Sequence, residues 1–249
     1  MTERGTFIVN GVERVAIAQL IRSPGAFFNV DRAGGKNYFG GKIIPNRGAW
    51  LEFETETSGV ISVKIDRKRK VMAATLLRAF GVEDFPKGLE ETIKRDPTHN
   101  QAEALVAIYG HLRPGDLGTP DTAKELIWNM FFNFERYDLS KVGRWRMNQR
   151  FPNLKFPASK MDEEIKVSDR VLKPEDVVNV LREIIRLNND PQAKPDQIDH
   201  LGNRRVRALN ELLINRLRVG FMRLERIIKD RMSTLDPAFM APIQIVNPR

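Results

Sequence analysis

The hydrophobic pattern of this chain changes character once, near residue 66, and that change confines it to strands followed by helices. Before it, apolar and polar residues alternate. The run AWLEFETET puts Leu51 and Phe53 on one face and Glu52, Glu54 and Glu56 on the other, as a strand with one buried face does. Asn10-Gly11, between TFIV and VERVAIAQL, supplies the positive φ angles of a type I′ hairpin turn. Arg22-Ser23-Pro24-Gly25 breaks the pattern, residues 31–36 (DRAGGK) read as an exposed turn, and Ser58-Gly59 returns the chain into VISVKID. The expectation is an antiparallel strand meander over roughly the first 66 residues.

After it, helix signals take over. Residues 72–80 predict a short helix with Gly81 at its C′ position. The variant capping box at residues 100–103 (NQAE) opens a helix through His111, which Pro114-Gly115 ends. Thr119 caps and Pro120 starts a helix through Phe132. Residues 151–170 are polar and irregular. Pro174 starts a helix whose apolar face carries Val177, Val180, Leu181, Ile184 and Leu187. It stops before Asn188, where residues 188–195 (NNDPQAKP) form the linker candidate. A last long helix is expected from about Arg205 to Met232, with Leu209, Leu213, Leu217, Gly220, Leu224 and Ile228 in one stripe and Arg216 and Arg223 at its edge. That stripe expects a partner surface. The tail, DPAFMAPIQIVNPR, reads as a chain that continues. The fold class is therefore α+β.

Composition narrows function. Lys and Arg number 41 against 32 Asp and Glu, a net charge of +9 in 249 residues, which points to a polyanionic partner: nucleic acid or an anionic membrane surface. The absence of cysteine excludes a disulfide framework, a thiolate zinc site and cysteine catalysis. No apolar run is long enough to span a bilayer, and MTERGTFIVN has no signal pattern, so a cytosolic protein is expected. His99, His111 and His200 are not at metal-ligand spacing. The glycines of AGGKNYFGGK lack phosphate-loop spacing and read as a strand connection. No Gly-x-Ser-x-Gly element suggests a nucleophile elbow. Glu52, Glu54 and Glu56 are open to two readings, an acid/base or metal cluster and a solvated sheet face. Residues 162–164 (DEE) read as plain surface. Nothing here assembles a catalytic constellation.

The basic charge is clustered. Residues 64–70 (KIDRKRK) hold five basic residues and one acid; residues 136–150 hold five and one, with Tyr137 and Trp145; residues 200–231 hold nine and three. Such clusters supply phosphate affinity, and aromatics supply a stacking surface for an unpaired base; solvated helix faces are the alternative. The segment DHLGNRR (residues 199–205) sets an acid and an arginine pair around a glycine turn. An arginine can clamp phosphate and an Asp can accept from a base amino group. The same segment also reads as a helix N-terminal turn capped by Asn203.

Six blocks carry a resemblance: GTFIVNGVERVAIAQLIRSPGAFF, IIPNRGAWLEF, IDRKRK, LRPGD (residues 112–116), RYDLSKVGR and IDHLGNRRVR. In order and spacing they closely resemble successive blocks of the bacterial RNA polymerase β subunit, across nearly the whole chain. The resemblance implies a β lobe (β2) at residues 23–196. Residues 1–22 would be flanking strands on the protrusion (β1) side, and residues 197–249 a fork or protrusion segment with a long basic helix. It implies part of a DNA-dependent nucleotidyltransferase whose Mg²⁺ is bound by the β′ subunit; this segment holds no catalytic residue and no cofactor. It implies promoter and downstream DNA, the β′ and α subunits, sigma factor and regulators as partners, and a location in the cytoplasm at the nucleoid.

Carried over by motif, Trp50 would stack on an unpaired base of the non-template strand. Asp199 would accept from a guanine edge, with Arg22, Asp66, Ile198 and Arg204 completing the pocket wall. Arg67, Lys68, Arg69, Lys70 and Arg205 would contact the DNA backbone. Without the resemblance, Trp50 reads equally as a half-buried strand aromatic. Two other function classes stay in view: a protein-docking module with little DNA affinity, and a free-standing metal enzyme using Glu52, Glu54 and Glu56.

Overall fold

A computed structural model describes residues 1–151, 165–234 and 242–246. The expectations for residues 162–164, and for most of the irregular stretch and the tail, lie outside the described residues. The chain divides into two compact units, residues 22–203 and residues 1–21 with 204–249.

The first of these is built on a five-stranded antiparallel meander in the order β4-β5-β6-β7-β8. Its strands are β4 (Gly25–Ala33), β5 (Lys36–Ile44), β6 (Leu51–Thr55), β7 (Ile61–Ile65) and β8 (Lys70–Met72). Gly34 and Gly35, both at positive φ, close the β4–β5 hairpin where the glycine-rich strand connection was expected. Phe28, Gly41, Phe53, Val63 and Val71 are successive register partners, and they form one row across the sheet. Gly41 leaves that row open: a Cβ there would stand 3.1 Å from Ile184 Cδ1, so the gap admits the helix that packs over β5.

The helices α1 (Ala73–Ala79), α2 (Glu90–Arg95), α3 (Gln101–Leu112), α4 (Pro120–Phe131), α5 (Ser140–Arg150) and α6 (Pro174–Asn189) follow. Their signals are local. Gly81 at φ +75° donates to Arg78 O while Val82 donates to Leu77 O, the paired bonds of a Schellman end. Asn100 accepts from Glu103 N at 2.8 Å, but the Glu103 carboxylate reaches back to His99 N, one residue beyond the usual box. Val177, Val180, Leu181, Ile184 and Leu187 are all buried, as their period demands. The short α2 was not anticipated; Thr92 on it accepts from Ile61 N inside the core. Residues 188–196 are pinned to the sheet. Asn188 bonds both the N–H and the O of Phe39, and Asp196 does the same for Phe28.

The second unit holds the hairpin β1 (Phe7–Val9) and β2 (Val12–Arg14), turned at Asn10-Gly11 with φ 51° and 78°. It also holds most of β3 (Gln19–Arg22), which pairs with β9 (Arg204–Arg207), followed by α7 (Leu209–Thr234) and α8 (Pro242–Ile245). The long helix therefore starts four residues later than expected. Residues 204–207 satisfy their backbone by pairing with β3 instead, and Arg205 and Arg207 clamp Glu211 in the first turn of α7. No described residue of α7 is buried, and Leu213, Leu217 and Phe221 are exposed.

Candidate nucleic-acid interface

Trp50 lies at the end of the β5–β6 connection, half-buried. That connection is anchored from elsewhere in the chain. Asn46 and Arg47 donate their N–H groups to Asp138 O at 2.9 and 3.1 Å, Asp138 N returns a bond to Arg47 O, and Arg47 Nη2 donates to Phe134 O. The Asp138 carboxylate is itself held by Arg170 (Nε to Oδ1 3.0 Å, Nη2 to Oδ2 2.6 Å) and by Ser140 N. The blocks RGAW and RYDLS, 91 positions apart at the Arg47–Asp138 bridge, thus form one scaffold. Gly48 sits against the Tyr137 ring and Tyr137 is wholly buried, so Tyr137 is no stacking surface. Burial pushes its phenol far above the ordinary tyrosine range; the nearby Asp176 carboxylate adds to this and Arg144 opposes it.

Across the sheet end, Asp66 and Arg67 form the β7–β8 turn. Lys68 N donates to Ile65 O, and Asp66 and Arg67 have φ of 50° and 60°, the angles of a type I′ turn without glycine. An arginine in this region costs about 1–2 kcal/mol, and such strain gathers at working sites. Asp66 N donates to Trp50 O at 2.9 Å, and the Arg67 guanidinium stands 5.3 Å from the Trp50 ring centroid. Trp50, Asp66 and Arg67 are therefore one group.

A second group gathers at residues 196–203. Arg146 on α5 donates to Asn203 Oδ1 and Gly202 O, Ser23 N donates to Asn203 O, and Arg150 reaches Asp196. Asn203 is a tether here rather than a helix cap, because β9 follows it. The loop presents Asp199, whose side chain is 74% exposed and which pairs with Arg22 at 3.2 Å; Ile198 beside it is half-buried. A bridge this exposed contributes about 0–1 kcal/mol and yields readily to another donor. Among the described residues, no hydrogen bond joins the Trp50 group to the Asp199 group. Arg204 belongs to the second unit and donates to Leu20 O within it.

The basic run is less free than its composition suggests. Lys64 and Lys70 both bind Glu54, at 2.5 and 2.7 Å, and Lys68 Nζ donates to Leu112 O. Arg67 and Arg69 remain exposed. Arg205 is held by Glu211 at 2.6 Å. Of the carboxylate face, Glu52 binds Lys42 and Glu54 binds its two lysines, so these residues form an ion-paired sheet surface. Among the described residues, no group of three or more His, Asp or Glu could hold a metal ion. Burial raises the Glu54 pKa, but the hydrogen bonds and charges of Lys64 and Lys70 outweigh it and hold the carboxyl below its ordinary range. A depressed carboxyl stabilises above its unfolded pKa and loses that contribution as pH falls through its folded pKa. Glu54→Gln is expected to lower stability toward urea by up to about 1 kcal/mol at pH 7 and to show a smaller deficit at pH 3. A constant gap at both pH values would contradict this.

The sequence missed Gly48, Asp138 and Arg170. Gly48 and Asp138 lie in two of the blocks that carry the resemblance, whereas Arg170 lies in none of them. No helix among the described residues is long and apolar enough to cross a membrane.

Comparison with known proteins gives a family. The family model described as RNA polymerase Rpb2, domain 2, matches residues 22–207. A DNA-directed RNA polymerase subunit beta of Chloroflexus aggregans is 43% identical over the whole of this chain and 23% of its own length. The same-named proteins of Dehalococcoides mccartyi (43% identical, 20% of its length) and Gloeobacter violaceus (40%, 22%) also match across all of it. The chain thus spans only about a fifth of the curated relatives it matches, and it belongs to the family of bacterial RNA polymerase β subunits.

Proposed function

We propose that this chain works as a segment of an RNA polymerase β subunit in DNA-templated transcription, forming a wall of the downstream DNA cleft and contacting the non-template strand and sigma factor. The observation that carries this is the Trp50 group: an indole on an anchored loop, covered by one arginine, beside a strained turn. An indole stacks on any base, and an arginine above it can exchange its ring contact for a phosphate. Asp199, exposed and lightly paired, suits guanine's N–H donors. Residues 23–196 would be the lobe, with residues 1–22 and 197–249 belonging to neighbouring parts of the subunit. Nucleotidyl transfer would belong to the assembled enzyme, with its β′ and α subunits, in the cytoplasm. No residue here is assigned to its Mg²⁺.

The test is binding of the 249-residue chain to a fluorescent fork DNA with a single-stranded non-template segment, across a salt series. Trp50→Ala is expected to weaken binding about tenfold for every base, within the roughly 1–3 kcal/mol of a lost stack. Asp199→Ala should weaken it only where the facing base is guanine. A shallow salt slope with neither variant affected would overturn this reading and favour the protein-docking module.

A further inference from the structure

We propose that the cleft between α1, α3, α4 and the entry to α6 is a docking site for a short acidic peptide segment with an aromatic or leucine anchor. The cleft encloses about 380 Å³, at the small end of ligand sites, with room for a few side chains. Its floor is apolar: Phe80, Leu105, Ile127 and Phe132 line it. On its rim stands Trp128, 59% exposed and tilted against Phe132 at 5.0 Å between ring centroids. Phe132 rests in turn on Phe80 at 5.1 Å, so the platform is rigid. A large exposed aromatic beside a preformed apolar cleft is the usual form of a binding hot spot.

The occupant follows from charge. The charged side chains lining the cleft are both lysines, Lys124 and Lys173. Lys173 already binds Asp169 at 2.8 Å, so exposed Lys124 is the cation a ligand carboxylate would meet. Lys124 and Trp128 lie four residues apart on α4, on one face, so an anchor side chain and a neighbouring acid could be read together. Nucleic acid fits worse, since one exposed lysine supplies little phosphate affinity. The cleft shares no lining residue with the Trp50 or Asp199 groups, and the proposal holds whichever reading of those groups stands.

The experiment uses the full chain and a fluorescein-labelled peptide, DDLFDLLEDD, with two controls: its counterpart with every acid replaced by lysine, and one with the aromatic and leucines replaced by alanine. Saturable binding of the first alone is expected. Trp128→Ala should weaken it at least tenfold with an unchanged thermal midpoint, since that side chain is mostly solvated. Lys124→Glu should weaken it several-fold, more at low salt than at high. Equal binding of the lysine peptide, no saturation below 1 mM probe, or insensitivity to Trp128→Ala would each overturn the proposal. So would concentration-dependent dimerisation, or fork-DNA binding, that Trp128→Ala abolishes; the cleft would then belong to a second copy or to DNA.

Discussion

Asp176→Ala should destabilise the chain by about 3–5 kcal/mol, the cost of breaking a buried ion pair from one side. Arg144 and Asp176 are both fully buried, with Nη1 to Oδ1 at 2.6 Å and Nη2 to Oδ2 at 2.8 Å. Arg144 also donates to Val171 O and Asp169 O, and Asp176 Oδ2 accepts from Lys173 N at the start of α6. Removing the carboxylate strands a cation away from water and frees the first turn of α6. Thermal unfolding should show a midpoint lower by about 6–20 °C. Arg144→Met with Asp176→Ala should recover part of the loss, for a coupling of about 1–3 kcal/mol. Recovery stays partial because the Val171 and Asp169 carbonyls then lack their donor. Strictly additive effects would mean that the pair acts through something other than mutual neutralisation. The pair matters to the interface because it fixes α5, whose Arg146 and Arg150 hold the loop that presents Asp199.

The same arginine shows where sequence reading stops. Residues 136–150 look like a phosphate-binding cluster, yet Arg144 is buried and Arg146 and Arg150 tether a loop. Net charge counts these residues without knowing which have acceptors nearby. Local signals fared well because their physics is local. Asn10-Gly11 turns a hairpin, Leu51 and Phe53 face the core, Gly81 ends α1, and Thr119 caps α4. Long-range pairing left no local mark. Residues 205–207 read as the first turn of a helix, and pairing with β3, far away in sequence, makes them part of a strand. Lys70 likewise joins β8 because β7 and Glu54 await it. The roles proposed for Trp50 and Asp199 rest mainly on the resemblance; the residues that hold them in place left no such mark, since Arg47 and Asp138 meet only in the folded chain.

Gly48→Ala is the test of that scaffold. Gly48 has φ +122°, which side chains rarely adopt, and an added Cβ would lie 2.6 Å from Tyr137 Cδ2 and 3.1 Å from Arg136 O. Backbone strain of about 1–3 kcal/mol then adds to overpacking of about 1–3 kcal/mol. The ring cannot retreat, because Tyr137 is itself fully buried and packs against Phe131 at 5.9 Å between centroids. A loss of about 3 kcal/mol is expected, or a midpoint lower by about 6–12 °C. Tyr137→Phe should cost little by comparison, since its hydroxyl is buried without a hydrogen-bond partner. The functional consequence is separable from the stability one. Measured at a temperature where the variant is folded, Gly48→Ala should weaken fork-DNA binding for every base, as Trp50→Ala does, because it displaces the loop that ends in Trp50. An unchanged midpoint would show that Arg47, Gly48 and Tyr137 give way easily. A lowered midpoint with wild-type DNA binding would show that Trp50 is positioned by β6 and the Asp66 turn alone.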